Sequence, residues 1–148
     1  MTRTRLLVPG LAGFYTWAEP IVYALLRFTI GIVIFVHGYL KVAGPGPTGI
    51  TGMFTRMAFP APGAMAYVAI FFETIGTLCV AVGLFTRFFS AALAIEMLVI
   101  LLTAHISKGF LVGDGGYEYV LLLGMVYFYI ALRGGGRYSV DAKIGKEL

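Results

Sequence analysis

The chain has 148 residues, of which 59% are hydrophobic and only 12% are charged. Soluble domains carry about 25% charged residues, so this composition excludes an ordinary water-soluble protein and favours a membrane protein. The net charge is +4, but the basic residues are spread along the chain, which argues against a nucleic-acid-binding surface. The length suits one compact unit, and we predict a single domain over residues 1–148.

The N-terminal segment Met1 to Trp17 combines arginines with an apolar stretch, as a secretory signal peptide does. Proline and glycine residues interrupt that stretch, and no small-residue cleavage site follows it. We therefore expect an arm in the membrane interface, with the rings of Tyr15 and Trp17 at the level of the lipid headgroups.

Four apolar runs follow and predict four membrane-spanning helices. About 20 mostly apolar residues cross the hydrocarbon core of a bilayer, and the runs cover about 21–42, 64–85, 88–105 and 117–132. The tight turn around Thr86 and Arg87 makes the second and third runs antiparallel neighbours. The predicted fold class is all-α: an integral membrane four-helix bundle in up-down order.

The connection between the first two runs is GPGPTGITGMFTRMAFPAPG. Its glycines and prolines predict turns at both ends. Between them, from about 48 to 59, apolar residues recur at roughly helical spacing. We predict a short amphipathic helix on the outer membrane surface.

The basic residues orient the bundle. On the side of both termini they are Arg3, Arg5, Arg87, Arg133, Arg137, Lys143 and Lys146. On the other side they are Lys41, Arg56 and Lys108. By the positive-inside rule we expect both termini in the cytoplasm, with the bundle in the cytoplasmic (inner) membrane of a bacterium or an archaeon.

Residues that bind metals or cofactors are few. Cys79 is the single cysteine, so neither a disulfide framework nor a CxxC exchange pair is possible within this chain. His37 and His105 lie at similar predicted depth, as a bis-histidine haem site requires. However, His105 follows Glu96 by nine residues and lies on the opposite side of an ideal helix. We expect His105 to face a loop or the headgroups, and we predict no haem, no metal site and no covalently bound cofactor.

Ionisable residues in the apolar runs form the candidate site, which comprises Arg27, His37, Glu73, Glu96 and Glu118. A charge at mid-membrane costs at least about 2.5 kcal/mol, so such groups face the bundle interior beside a partner. The carboxylates of Glu73 and Glu96, at equal depth on neighbouring helices, repel each other unless one is protonated or Arg27 neutralises one. We predict that Arg27 and Glu73 share one buried network, which extends to His37 and Glu118. Weaker candidates are His105 and Lys41.

Two interpretations of this network remain open. It fixes the register of the helices and has no other role, or it forms a polar pocket open to the outer leaflet. In the second case the pocket binds a quinone head group and exchanges protons with it.

Several motifs occur together along the chain, and they are LLRFTIGIVIFVHGYLKV, FPAPG, ETIGTLCVAVGLFTR, GYEYVLLL and GGGRYSVD. They resemble the DoxX family of small four-helix membrane proteins from about Leu25 to Asp141. The resemblance implies four spans, cytoplasmic termini and a role beside membrane oxidoreductases, because the family name comes from a subunit of a thiosulfate- and quinone-linked oxidase system. The family's typical residues fall here on Arg27, His37, Gly38, Lys41, Glu73, Gly76, Arg87, His105, Glu118, Gly136, Arg137 and Asp141.

We therefore expect the membrane subunit of a quinone-linked oxidoreductase or respiratory-type complex, which binds quinone or anchors a catalytic partner and is not catalytic on its own. The alternative is a structural or assembly subunit of a larger membrane complex. A transporter is disfavoured because the halves show no repeat and no span is broken at its middle. The expected partners are the lipid bilayer and other protein subunits.

Overall fold

The computed structural model describes residues 6–147, and its regular structure there is entirely helical, as predicted. Two of the basic residues used to orient the chain, Arg3 and Arg5, lie outside the described residues. The helices in chain order are α1 (Ala12–Ala43), α2 (Gly46–Arg56), α3 (Pro62–Phe71), α4 (Thr77–Val82), α5 (Thr86–Ile100), α6 (Glu118–Arg133) and α7 (Val140–Ile144).

Two π-helical turns lie within the long helices. The first π-turn, Phe72–Gly76, joins α3 to α4, so that one helix runs over Pro62–Val82. The second π-turn, Leu101–His105, prolongs α5, so that another helix runs over Thr86–Lys108. A π-turn replaces the i→i+4 bond by an i→i+5 bond and inserts one extra residue into the helix.

Three helical stretches are long and apolar enough to cross a membrane, namely Pro9–Ala43, Pro62–Val82 and Thr86–Lys108. They coincide with the first three predicted runs, although α1 begins earlier than predicted and continues through Pro20. The fourth run forms α6, whose 16 residues extend about 24 Å and pack along α5. The protein is thus an all-helical membrane protein.

Glycines of α1 allow it to approach the helix Pro62–Val82 closely. A Cβ atom at Gly38 would lie 2.5 Å from the carbonyl oxygen of Glu73, and one at Gly31 would lie 2.7 Å from that of Thr77. Membrane helices commonly pack through small residues in this way. This contact sets the axial position of α1 against the first π-turn.

We name the two ends of the molecule by their connections. The loop end carries α2 and the loop 109–117, and the tail end carries the start of α1, the turn 83–85 and the C-terminal segment 134–147. Between the ends lies a contiguous apolar core that includes Ile34, Val80, Leu93 and Tyr127.

Candidate functional site

A cavity of about 470 Å³ lies at the loop end, between α2, α3 and the helix that contains α5. The predicted amphipathic segment forms α2, which contributes Met53, Phe54 and other apolar side chains to the wall. The ionisable side chains that line this loop-end cavity are Lys41, Glu96 and His105.

Lys41 forms an ion pair with Glu73, in which the ammonium group donates to Oε1. The Glu73 side chain is 3% exposed and that of Lys41 25%, so Lys41 stands between the buried carboxylate and the cavity. The glycine contact at Gly38 places Lys41, less than one turn further along α1, beside Glu73. The predicted pairing of Glu73 with Arg27 is wrong, because Lys41 provides the cation.

Glu96 joins this pair from α5. Its carboxyl group lies close to the Glu73 carboxyl group and to Lys41. The Oε2 atoms of both acids are buried and have no hydrogen-bond partner. Two carboxyl groups against one ammonium group keep a net negative charge unless the pair takes up a proton. We call Lys41, Glu73 and Glu96 the acid-pair cluster.

The second π-turn brings His105 to the same cavity. In an uninterrupted α-helix, residues nine positions apart such as Glu96 and His105 lie on opposite sides. The extra residue of the π-turn removes about 100° from that angle, and both side chains line the cavity. His105 also contacts a loop as predicted, since its Nδ1 lies 2.6 Å from the carbonyl oxygen of Gly115. The prediction that His105 lies on the side of the helix opposite Glu96 is wrong, because helical periodicity does not reveal a π-turn.

His37 and Glu118 do not join the network that the sequence predicts. The His37 side chain is exposed, and its Nδ1 lies 2.9 Å from the carbonyl oxygen of Val33 within α1. Glu118 accepts a hydrogen bond of 2.7 Å from the backbone N–H of Val112 and so fixes the loop 109–117. Both residues therefore lie outside the acid-pair cluster.

Arg27 lies at the tail end and is 2% exposed. Its Nη1 donates to the carbonyl oxygen of Val80 at 2.8 Å, and its Nη2 donates to that of Tyr138 at 2.7 Å. The guanidinium group thus connects α1 and α4 with the C-terminal segment. Gly83 leaves space for it, since a Cβ atom there would lie 2.1 Å from Nη1.

Asp141 fixes the same segment from the other side. Its carboxylate is buried and accepts from the backbone N–H groups of Phe85 and Thr86, at 2.8 and 2.9 Å, and from the Thr86 hydroxyl at 2.6 Å. These bonds cap the N-terminus of α5 and hold Phe85 in a left-handed conformation, φ 47°, that is unfavourable for a bulky residue. We call Arg27, Asp141 and their partners the tail clamp. Arg137 of the same motif is exposed, with its guanidinium carbon 5.7 Å from the Tyr138 ring centre.

A second cavity, of about 580 Å³, is a groove between α5 and α6. Among the described residues that line it, Arg87 alone is ionisable. The Arg87 guanidinium already donates to the carbonyl oxygens of Ala131 and Leu132 and to the Glu147 carboxylate. This groove therefore offers apolar contact but no free polar group for a ligand.

The acid-pair cluster suits an organic ligand better than a metal ion. Within residues 6–147 no group of three His, Cys, Asp or Glu side chains is placed to hold a metal. The single thiol, Cys79, is half-buried and unpaired in that part of the chain. Binding sites for small molecules are typically apolar cavities with a few convergent polar groups, which is the composition found at the loop end.

Known proteins resemble the chain over most of its length. The DoxX family model matches residues 22–106. A protein of Bacillus subtilis named "Putative oxidoreductase CatD" is 32% identical over 122 residues, which cover 82% of this chain and 86% of that protein. An "Uncharacterized protein" of Haemophilus influenzae is 30% identical over 133 residues, which cover 87% and 95%. No solved structure matches the chain. The residues of the acid-pair cluster and His105 all lie within the matched range, and the chain belongs to the DoxX family.

Proposed function

We propose that this protein is the membrane subunit of a quinone-linked oxidoreductase and that its loop-end cavity holds the quinone head group. The observation that carries the proposal is the convergence of Lys41, Glu96 and His105 on one largely apolar cavity. The name of the Bacillus subtilis relative, which calls it an oxidoreductase, also supports a redox role for this protein.

The cavity fits such a ligand. A quinone is a flat apolar ring with two carbonyl oxygens, so it needs apolar walls and polar groups at the ring edge. Lys41 can donate a hydrogen bond to a carbonyl oxygen of the ring, and the unpartnered Oε2 of Glu96 can hold a proton. The Nδ1–H of His105 is already directed at the Gly115 carbonyl oxygen, so this ring donates to a ligand through Nε2 only as an imidazolium. A bound quinone takes up two electrons and two protons on reduction to the quinol, with the electrons supplied by a redox-active protein partner. The acid-pair cluster supplies proton-accepting and proton-donating side chains at the ring.

The wall of the cavity also provides a route from the lipid phase. Val68 and Ile95 line the cavity, and their side chains are 48% and 63% exposed. In a bilayer these side chains contact acyl chains, so a lipid-soluble ligand reaches the acid-pair cluster between α3 and α5 without crossing water.

We further propose that α6 is the fourth span and that the termini are cytoplasmic. The 16 residues of α6 fall slightly below the usual spanning length. Arg133 at its end forms an ion pair with Glu19, and its guanidinium carbon lies 4.0 Å from the centre of the Tyr23 ring. Charged and aromatic residues of this kind anchor helices at the membrane surface. The excess of basic residues at the tail end supports a cytoplasmic position for that end, with the bundle in the inner membrane.

The orientation is tested by thiol labelling in intact cells. Cysteine at Arg56 is expected to react with a membrane-impermeant reagent, and cysteine at Lys146 is expected to react only after the cells are opened, with Cys79→Ala as the background. If Lys146→Cys reacts in intact cells and Arg56→Cys does not, the orientation is the opposite of the one proposed.

The ligand is tested by photolabelling the purified protein with an azido-ubiquinone of short chain. We expect labelled peptides from α2 and α5 and loss of labelling in Ala92→Phe, which fills the loop-end cavity. The matched control is Ala91→Phe, because Ala91 lines the groove between α5 and α6. Equal labelling of both variants would contradict the proposal and favour the assembly subunit.

The role of the proton is tested in the parent complex with Glu96→Gln, which keeps the shape of the side chain but removes its titratable proton. We expect quinone-linked turnover to fall at least tenfold while the complex still assembles. Unchanged turnover would show that the acid-pair cluster fixes structure only.

A further inference from the structure

We infer that the loop-end cavity is open to water on one side of the membrane only: it exchanges water and protons at the loop end, and the apolar core and the tail clamp seal it from the tail end. The identity of the ligand rests on the proposed function, whereas the sidedness rests on the packing of the bundle and is tested separately.

Polar groups connect the acid-pair cluster with the surface at the loop end. The Lys41 side chain is 25% exposed while its partner Glu73 is 3% exposed. His105 is half-buried, and its ring nitrogen contacts the carbonyl oxygen of Gly115 in the loop 109–117, which is largely exposed. A proton on Glu96 therefore has titratable neighbours in the direction of the loop end.

In the opposite direction, the helices that carry the acid-pair cluster continue into the apolar core. On the tail-end side of Lys41, α1 carries Ile34, and on the tail-end side of Glu96, α5 carries Leu93. On the tail-end side of Glu73, which lies in the first π-turn, α4 carries Val80. These side chains form one contiguous layer with Tyr127 of α6, and Val80, Leu93 and Tyr127 are 0% exposed. The one hydroxyl among these four side chains, that of Tyr127, donates to the carbonyl oxygen of Ile30, so the layer offers no free donor to water or protons.

The tail clamp forms a second barrier beneath this layer. The C-terminal segment is held against the bundle by Arg27 and Asp141, and the Tyr23 hydroxyl donates to the carbonyl oxygen of Gly134 at 2.5 Å. Glu147 accepts hydrogen bonds from Arg87 and from the backbone N–H of Gly135. Because these contacts join the segment to α1, α4 and α5 together, they close the bundle at the tail end.

The sidedness is tested with single cysteines in a Cys79→Ala background, in sealed right-side-out and inverted membrane vesicles. Val99→Cys lines the loop-end cavity, Ser90→Cys lies below the apolar layer, and Arg56→Cys and Lys146→Cys mark the two sides. A small charged methanethiosulfonate is expected to modify Val99→Cys from the side that modifies Arg56→Cys. Ser90→Cys is expected to react from neither side.

Modification of Val99→Cys or Ser90→Cys from the Lys146 side would overturn the inference, as would failure of Val99→Cys to react from the Arg56 side. None of these outcomes depends on quinone. Protection of Val99→Cys by a short-chain ubiquinone is a separate measurement, and its absence would count against the proposed ligand and leave the sidedness intact.

The seal itself is tested by removing the Asp141 carboxylate, which accepts three of its hydrogen bonds. Asp141→Ala combined with Ser90→Cys is expected to raise the rate of modification from the Lys146 side at least tenfold. Val99→Cys with Asp141→Ala serves as the control for folding and keeps its reaction from the Arg56 side. An unchanged rate at Ser90→Cys with that control intact would show that the C-terminal segment is not the seal.

Discussion

The loop end and the tail end both bury ionisable residues that look alike in the sequence, yet their surroundings differ. At the tail end Asp141 accepts three hydrogen bonds, and both terminal nitrogens of Arg27 donate to carbonyl oxygens. At the loop end Glu73 and Glu96 each keep a buried oxygen without a partner beside a cavity of about 470 Å³.

This difference supports the proposed role of the loop end in binding. Buried polar groups are nearly always paired, so an unpaired one beside a cavity indicates a place for water or a ligand. The two π-turns also occur at the loop end, where they carry Glu73 and His105, and such turns are frequent at functional sites. The Nε atom of Arg27 also lacks a partner, but the two terminal nitrogens of the same guanidinium group donate to backbone carbonyl oxygens.

The largest effect is expected at the tail end. Asp141→Ala leaves three donors at the start of α5 without an acceptor, two of them buried, and we expect it to lower the free energy of unfolding by about 3 kcal/mol. Denaturation by sodium dodecyl sulfate in mixed micelles measures this loss. The control Asp114→Ala removes an exposed carboxylate in the loop 109–117 and should change stability by less than about 0.5 kcal/mol. Equal losses in both variants would contradict a structural role for the tail clamp.

The second-largest loss of stability is expected at the contact between Gly38 of α1 and the first π-turn. In Gly38→Ala the added methyl group meets the backbone of Glu73, which cannot move aside as a side chain can. We expect a loss of about 2 kcal/mol, typical of overpacking. Gly13→Ala is the matched control, because the added Cβ meets nothing within 4 Å beyond the adjacent backbone of its own helix. A neutral Gly38→Ala would mean that α1 does not approach the first π-turn this closely.

The sequence predicted the helices well because apolar runs and turn residues are local signals. It also predicted that Glu73 faces the interior. It did not predict the partner, since Arg27 and Lys41 lie on the same face of α1 with Gly31 and Gly38. Helical phase therefore does not show which of these two cations pairs with Glu73. The pairing depends on the axial position of α1 relative to the next helix. That position is a tertiary property, fixed here by the contact at Gly38.

The sequence ranks His105 among the weaker candidates for a different reason. The π-turn Leu101–His105 changes the helical phase after Ile100, and its residues have no proline or glycine to mark it. His37 was misplaced because a histidine in an apolar run was expected to avoid lipid, whereas its Nδ1 is satisfied by the carbonyl oxygen of Val33 in its own helix.

A double-mutant cycle sharpens the assignment of partners. Glu73→Gln and Lys41→Met each break the ion pair, and the double variant should recover about 1.5 kcal/mol relative to the sum of the single losses. The cycle of Glu73→Gln with Arg27→Met should be additive within about 0.5 kcal/mol, because these residues have different partners. Coupling in the Arg27 cycle and additivity in the Lys41 cycle would restore the pairing that the sequence alone had favoured.

The smallest effects on stability are expected from substitution of the two histidines, and these two substitutions should differ clearly in their effect on ligand binding. His105→Ala removes a contact with one loop carbonyl, worth about 1 kcal/mol or less, and His37→Ala removes an exposed ring with a loss below about 0.5 kcal/mol. Of the two histidines, only His105 lines the loop-end cavity, so photolabelling by the azido-ubiquinone should fall several-fold in His105→Ala and stay unchanged in His37→Ala.

Deletion of Leu102, an exposed residue of the second π-turn, should mimic His105→Ala, because it restores the α-helical phase and turns the imidazole away from the cavity. The matched substitution Leu102→Ala retains the extra residue and should label like the native protein. If the deletion and the substitution label alike, the π-turn does not place His105, and the helical phase of α5 is not what builds the site.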